Sequence, residues 1–197
     1  IQNSLNCPDL ADVIFVLSND SAPPQQIYAH RLVLAAASEH FRATFSKFAE
    51  AAERTCKVEL PDWVAARPML WMLAYLYQGY DVARAQKVAF QLSRNDAPKV
   101  VADNSAKFLI SKRRRGHVQV DSEIGEDLCC LLRLSEYYQL DHLKQWAESE
   151  LSKLLSPENL IALSTHAYFC SASQLLRLSI YHLRRQYSEL VGIEDWE

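Results

Sequence analysis

Residues 29–59 read AHRLVLAAASEHFRATFSKFAEAAERTCKVE, and the order of elements expected for the rest of the chain follows from them. The segment begins with a run of strong helix formers. Ser38 then predicts the start of a second helix, because a serine hydroxyl can accept a hydrogen bond from a free backbone N–H in the first turn. Phe41, Phe45 and Phe48 follow at spacings of four and three, so they share one helical face. Two consecutive helices are therefore expected here.

Three short strands are expected around these helices. Residues 13–17 form a continuous apolar run, which fits a strand covered on both faces. After a turn-rich break, residues 25–28 predict the strand that returns beside it. Residues 56–60 alternate apolar and polar side chains, as a half-buried strand does. The apolar segment that follows Asp62 predicts a mostly buried helix that ends at Gly79.

Residues 81–125 contain three short alternating runs, at 88–92, 108–110 and 117–120, which predict a small β-meander. A basic tetrad lies between the second run and the third. We interpret it as a solvated turn tip; a nuclear-import signal and an anion-binding patch are the alternatives. The tetrad consists of Lys112, Arg113, Arg114 and Arg115.

From residue 126 onward the pattern predicts helices. Asp141 predicts an N-cap, and residues 156–157, Ser-Pro, predict a further helix start with proline at the first helical position. Residues 171–174 read SASQ and match a capping box for the last helix, 175–187. The apolar side of that helix comprises Leu175, Leu176, Leu178, Ile180 and Leu183.

The composition is that of an ordinary soluble globular protein. The chain has 197 residues, of which 49% are hydrophobic and 23% are charged, and its net charge is −3. The chain as a whole therefore lacks the excess of positive charge that sequence-independent nucleic-acid binding requires. It also lacks an apolar run long enough for a transmembrane helix. Because it starts at Ile1 rather than Met, we expect it to be a piece of a longer protein.

No motif in the sequence indicates catalysis. The five cysteines have no C-x-x-C spacing, so we expect reduced thiols in a cytosolic or nuclear protein rather than a zinc site. The six histidines are scattered, without a metalloprotease or nucleophile-elbow motif. A glycine-rich phosphate loop is also missing from the sequence. We therefore expect a non-enzyme without a cofactor.

Four pieces of the sequence, taken in order, resemble the BTB (POZ) family. They are the Asp-Val-led strand at 11–16, the segment 28–38 with its following phenylalanines, the strand at 58–60, and the Tyr-x-Tyr-x-Gly helix end at 73–79. The resemblance covers residues 9–80 well, resumes at about 126 and fades after about 155. It implies an α+β fold, in which a small mixed sheet flanked by a helical cluster is followed by C-terminal antiparallel helices.

The resemblance also implies a domain organisation. It places a BTB/POZ domain at residues 1–155, with an insertion at about 81–125, and a BACK-like helical extension at 156–197. His30 lies at a strand-to-helix junction where the family uses it structurally, so we expect a satisfied, buried or half-buried imidazole there rather than a catalytic base.

The function implied first is that of a substrate adaptor of a cullin-3 RING ubiquitin ligase, in the cytoplasm or nucleus. In such adaptors a hydrophobic-x-Glu loop contacts the cullin, and Phe48-Ala49-Glu50 matches that motif by position. The expected cullin-binding residues are Phe45, Phe48 and Glu50. The alternative for Phe48 is that it only closes the core face of its helix. The substrate protein would be held by domains outside this segment.

The second function implied is homo-oligomerisation or corepressor binding in a nuclear regulator. The resemblance places Asp12 and Arg31 at a charged pocket near the family's dimer interface, although an intramolecular ion pair is the interpretation we favour. Residues 1–10 are too short for the swapped helix of many dimeric members, and Pro8 would break such a helix. A second BTB domain in the same chain is then the alternative partner. A channel-type tetramerisation domain ranks third, because the helices after 126 argue against it.

Overall fold

The computed structural model describes residues 5–19, 22–48, 55–95 and 122–191, which form three strands and eight helices. In chain order these are β1 (Val13–Asn19), β2 (Ala22–Ala29), α1 (Arg31–Ala37), α2 (Glu39–Phe48), β3 (Cys56–Leu60), α3 (Ala66–Tyr77), α4 (Val82–Asn95), α5 (Ser122–Tyr137), α6 (Asp141–Lys153), α7 (Leu160–Phe169) and α8 (Ser173–Val191). The predicted α+β class, a small mixed sheet followed by helices, is confirmed.

The sheet has the order β2-β1-β3. β1 pairs antiparallel with β2 and parallel with β3, and Phe15 lies opposite Ile27 on one side and Val58 on the other. Val13, Phe15 and Leu17 are buried on one face of β1, whereas the alternate residues are half-buried. Only one face of the central strand is therefore fully buried, whereas its continuous apolar run predicts burial of both faces.

α3 is the centre of the core, since every residue from Pro68 to Tyr77 is buried. It packs against α4 and α5, and more lightly against α1 and β2. Pro68 stands in the first turn, where its missing N–H removes no hydrogen bond of the helix. Gly79 ends this segment with a φ of +68°, a left-handed conformation that glycine adopts without strain. The expected helix and its stop are both confirmed.

The strand predicted at 88–92 is wrong, because these residues belong to α4. Ala85 and Ala89 are buried one helical turn apart, and Val82 and Leu92 are half-buried on the same side. A run of five residues fits both the two-residue period of a strand and the spacing of a helical stripe. The two are distinguished only when the pattern of apolar residues is followed back to Val82. The other two runs of the predicted meander, 108–110 and 117–120, lie outside the described residues.

Two of the predicted helix starts are also wrong in detail. Asp141 is the first residue of α6 rather than its cap, and the N-cap position is taken by Leu140. Residues 156–159 form a turn, and α7 begins only at Leu160. The Asn159 side chain closes that turn, since its Oδ1 accepts from the Ser156 N–H at 2.8 Å and its Nδ2 donates to the Leu154 carbonyl at 2.7 Å.

The N-terminus of α8 is capped by a different helix instead of by its own capping box. Glu148 on α6 is buried, and its Oε2 accepts from the backbone N–H groups of Gln174, at 3.0 Å, and Leu175, at 3.3 Å. A carboxylate is favoured at this end of a helix because the unpaired N–H groups carry partial positive charge. The α7–α8 pair is thereby joined to α6.

Candidate protein-binding surface

α2 is held to the body of the domain by aromatic stacking along its inner face. The Phe41 ring lies 4.4 Å from the Tyr138 ring and 5.8 Å from the Phe45 ring, stacked on both, and it meets Phe15 edge-on at 6.3 Å. Phe41 is buried, and Phe45 is only 6% exposed. Phe41 and Phe45 of the predicted phenylalanine face therefore belong to the core, and Phe45 packs α2 against the domain.

The start of α2 is fixed by a contact that spans much of the chain. The Ser38 hydroxyl donates a hydrogen bond to the backbone carbonyl of Tyr138 at 2.9 Å, so it does not cap α2 as the sequence predicts. The His40 ring lies 5.2 Å from Tyr137 and 5.3 Å from Tyr138. Burial raises the pKa of Tyr138 well above the usual tyrosine value. These contacts bind α2 to the end of α5.

The outer face of α2 is exposed and polar at Glu39, Arg42 and Ser46. Arg42 and Glu39 form an exposed ion pair at 2.9 Å. Tyr137 is exposed beside His40, so this face continues onto the end of α5. The two elements together offer one accessible surface that carries both charged and aromatic groups, as protein-binding surfaces commonly do.

Phe48 is the last residue of α2, whereas Ala49 and Glu50 lie outside the described residues. The roles of Phe48 and Glu50 in partner binding therefore stay predictions. The insertion beyond Asn95 and the basic tetrad, Lys112 to Arg115, also lie outside the described residues.

The structure places the Asp12 carboxylate beside the backbone of Arg31, while the ion pair and the charged dimer pocket expected for these two residues stay predictions. Asp12 Oδ1 accepts a hydrogen bond of 2.7 Å from the backbone N–H of Arg31, the first residue of α1. This carboxylate therefore acts as a cap for the α1 N-terminus, because it pairs with one of the free N–H groups there. Two leucines near this contact are exposed, Leu10 at 92% and Leu32 at 82%.

His30 is satisfied and half-buried, as predicted. Its Nδ1 lies 2.9 Å from the Tyr77 hydroxyl, and that hydroxyl also accepts from the His30 backbone N–H at 2.9 Å. Burial raises the pKa of Tyr77 to about 12, so the phenol keeps its proton. The pair joins the β2–α1 junction to the end of α3 and is structural.

The thiols form no reactive or metal-binding group among the described residues. All five cysteines are free, and no cluster of three or more His, Cys, Asp or Glu side chains with ligand geometry occurs in the described ranges. Burial, with smaller contributions from Cys170 and Cys130, raises the pKa of Cys129 to about 11. A neutral thiol is a poor nucleophile and a poor metal ligand. Within the same ranges no helix has the length and apolarity to span a membrane.

Comparison with known proteins gives one match to a family. Residues 1–94 match the family model described as BTB/POZ domain. The matched range contains the sheet, α1, α2, α3 and α4 up to its penultimate residue. No curated protein matches the chain.

Proposed function

Residues 1–94 belong to the BTB/POZ family, and we propose that the chain acts as a substrate adaptor that binds cullin-3 in a RING ubiquitin ligase. Domains of this family are in general non-catalytic protein-interaction modules, so the chain is a protein-interaction module. The cullin-3 proposal rests on the position of Phe48-Ala49-Glu50 in the sequence, directly at the end of α2. This is where adaptors of the family have their hydrophobic-x-Glu contact.

The packing of α2 supports this assignment. The Ser38–Tyr138 hydrogen bond and the stacked Phe41 ring hold the first turn of the helix, and the buried Phe45 packs one turn later. A helix that is already packed on the domain loses less conformational freedom when a partner binds to it, which favours affinity. Phe45 belongs to this supporting packing because it is buried, so the proposal assigns direct contact to Phe48 and Glu50.

The accessible surface of α2 and Tyr137 extends the proposed contact. In protein interfaces an apolar residue at the centre commonly carries much of the binding energy, while polar, exposed residues form the rim. We assign Phe48 to the centre of the contact, Glu50 to a basic or N–H-rich site on the cullin, and Arg42 and Tyr137 to the rim. The substrate would be bound by other domains, in the cytoplasm or nucleus.

The proposal is tested by calorimetric titration of the chain with the N-terminal part of cullin-3. A heat signal that saturates at one cullin fragment per chain supports the adaptor function. A chain that is folded by circular dichroism and gives no heat overturns it.

A second candidate function is homo-oligomerisation or corepressor binding. Leu10 and Leu32 support it, because two highly exposed leucines beside the Asp12–Arg31 contact leave apolar area uncovered. The occupant would be a second copy, a second BTB domain or a corepressor segment. The mass of the chain in solution tests the self-association form of this candidate.

We also propose that a BACK-like extension begins near residue 156, after a BTB/POZ domain that ends at about 155. This division is supported by the packing of α7 mainly against α8, while α8 also packs against α6. α4 packs on α3 and lies almost wholly within the range that matches the family model, so of the insertion expected at about 81–125 we propose only the part after α4 as additional to the domain. Limited proteolysis tests the division, with cleavage expected near 155.

A further inference from the structure

The second half of α8 projects beyond the helices that pack against it. α8 has 19 residues and α7 has 10, which correspond to lengths of about 28 Å and about 15 Å. Leu175 and Ser179 are fully buried in the first half. From Ile180 to Tyr187 every side chain except that of Gln186 is exposed. This part of α8 therefore has a free surface among the described residues.

A regular apolar stripe runs along that free surface. Leu176, Ile180, Leu183 and Tyr187 follow one another at spacings of four, three and four, which is the pattern of a two-helix coiled-coil seam. Leu176 is half-buried, and the three that follow are 42%, 36% and 61% exposed. At about 100° per residue, the stripe lies about a quarter of a turn from the buried Leu175 and Ser179. A second helix can therefore contact it without replacing α6 or α7.

The charge beside the stripe is positive. Arg177 and Arg184 stand seven residues apart on its outer edge, and both are exposed. Neither forms an ion pair with a carboxylate in the described part of the chain. Residues 177–187 contain no acidic residue. In paired helices, charges at such flanking positions select the partner.

These features favour an acidic partner over a second copy of the chain. Antiparallel self-pairing would place Arg177 of one copy against Arg184 of the other, which is repulsive. Parallel self-pairing would place Arg184 opposite Ser179 and Arg177 opposite Ala172, both buried and uncharged, which gains no ion pair. A partner with glutamate or aspartate at the flanking positions gains attraction at both arginines.

We propose that the Leu176–Tyr187 face of α8 binds an acidic amphipathic helix of another protein by seam-to-seam packing. The apolar stripe supplies the buried area, and Arg177 and Arg184 select acidic flanks. The site is separate from the α2 surface, so it does not depend on cullin binding.

Two synthetic peptides test the proposal with the full 197-residue chain. Both have leucine at the seam positions of three heptads; one has glutamate at the flanking positions and the other has lysine. In fluorescence anisotropy the glutamate peptide is expected to bind at least about tenfold more tightly than the lysine peptide. The Arg177→Glu/Arg184→Glu variant is expected to reverse that preference.

Variants of the stripe separate this site from other apolar surfaces. Ile180→Ser/Leu183→Ser is expected to weaken binding of the glutamate peptide at least about tenfold. Tyr181→Ser is the matched control, because Tyr181 is exposed on a different side of α8, and it is expected to leave binding unchanged. Circular dichroism verifies that each variant is folded.

Three results would overturn the proposal. One is equal binding of the two peptides, and another is no binding of either by the folded chain. The third is a dimer of the chain alone that Ile180→Ser/Leu183→Ser dissociates, which would make a second copy the occupant of the stripe.

Discussion

Glu148 on α6 accepts a hydrogen bond from the backbone N–H of Gln174 at 3.0 Å, so one helix caps the N-terminus of another. The carboxylate is buried, and its acceptor oxygen also pairs with the Leu175 N–H. This contact joins the α7–α8 layer to the helices that precede it. It also fixes the N-terminal end of α8, the helix whose second half carries the apolar stripe.

Replacing Glu148 is expected to destabilise the fold in proportion to the hydrogen bonds lost. Glu148→Ala should lower the free energy of unfolding by about 2 kcal/mol, because two backbone N–H groups lose a charged acceptor. Glu148→Gln should cost about 1 kcal/mol, since an amide oxygen can still accept but has no charge. Urea denaturation measures both. Glu150→Ala, which removes the ion pair with Lys153, is the control and should change stability by less than about 0.5 kcal/mol.

Ser38→Ala is expected to lower the free energy of unfolding by about 1 kcal/mol, because the Tyr138 carbonyl loses a buried donor. Ser46→Ala removes an exposed hydroxyl from the same helix and should have an effect of less than about 0.5 kcal/mol. Thermal unfolding of the two variants provides the comparison. Equal midpoints would contradict the role of Ser38 in fixing α2.

The raised pKa of Cys129 predicts a loss of stability in alkali. The folded state holds this thiol neutral up to about pH 11, while the unfolded chain ionises near the usual pKa of 9.0. The unfolded state therefore binds fewer protons between these pH values, and stability falls as pH rises through them. Cys129→Ser should make the fall between pH 9 and 11 less steep in urea titrations. An unchanged slope would show that the thiol is not protected.

Leu10→Ser/Leu32→Ser tests whether the exposed leucines join two copies of the chain. If the second candidate function is correct, light scattering of the unmodified chain gives a dimer mass, and the double variant gives a monomer mass. Ile161→Ser, at an exposed position on α7, is the control and should keep the dimer. A monomeric unmodified chain would contradict self-association through this surface and leave the adaptor proposal unaffected.

The sequence predicts those elements that depend on neighbouring residues alone. β1 follows from its continuous apolar run, β3 from alternation, and the helices up to Gly79 from the phenylalanine spacing and the conformational freedom of glycine. The strand prediction at 88–92 failed because five residues cannot distinguish two periods.

The caps could not be predicted, because their partners are distant in the sequence. The Ser38 hydroxyl bonds to Tyr138, and the α8 cap comes from Glu148. The Asp12–Arg31 proximity was predicted through the family resemblance, but its contact with a backbone amide needed the structure. Similarly, Phe45 has a pattern that fits both a core face and a binding face, and only its burial separates the two.

The most direct test of the adaptor function is the effect of Phe48→Ala/Glu50→Lys on calorimetric binding to the N-terminal part of cullin-3. Glu59→Lys reverses an exposed charge on β3 and is the matched control. The account predicts that the double variant stays folded and loses at least about 100-fold in affinity, while Glu59→Lys binds as the unmodified chain does. Unchanged affinity of a folded double variant would contradict the account.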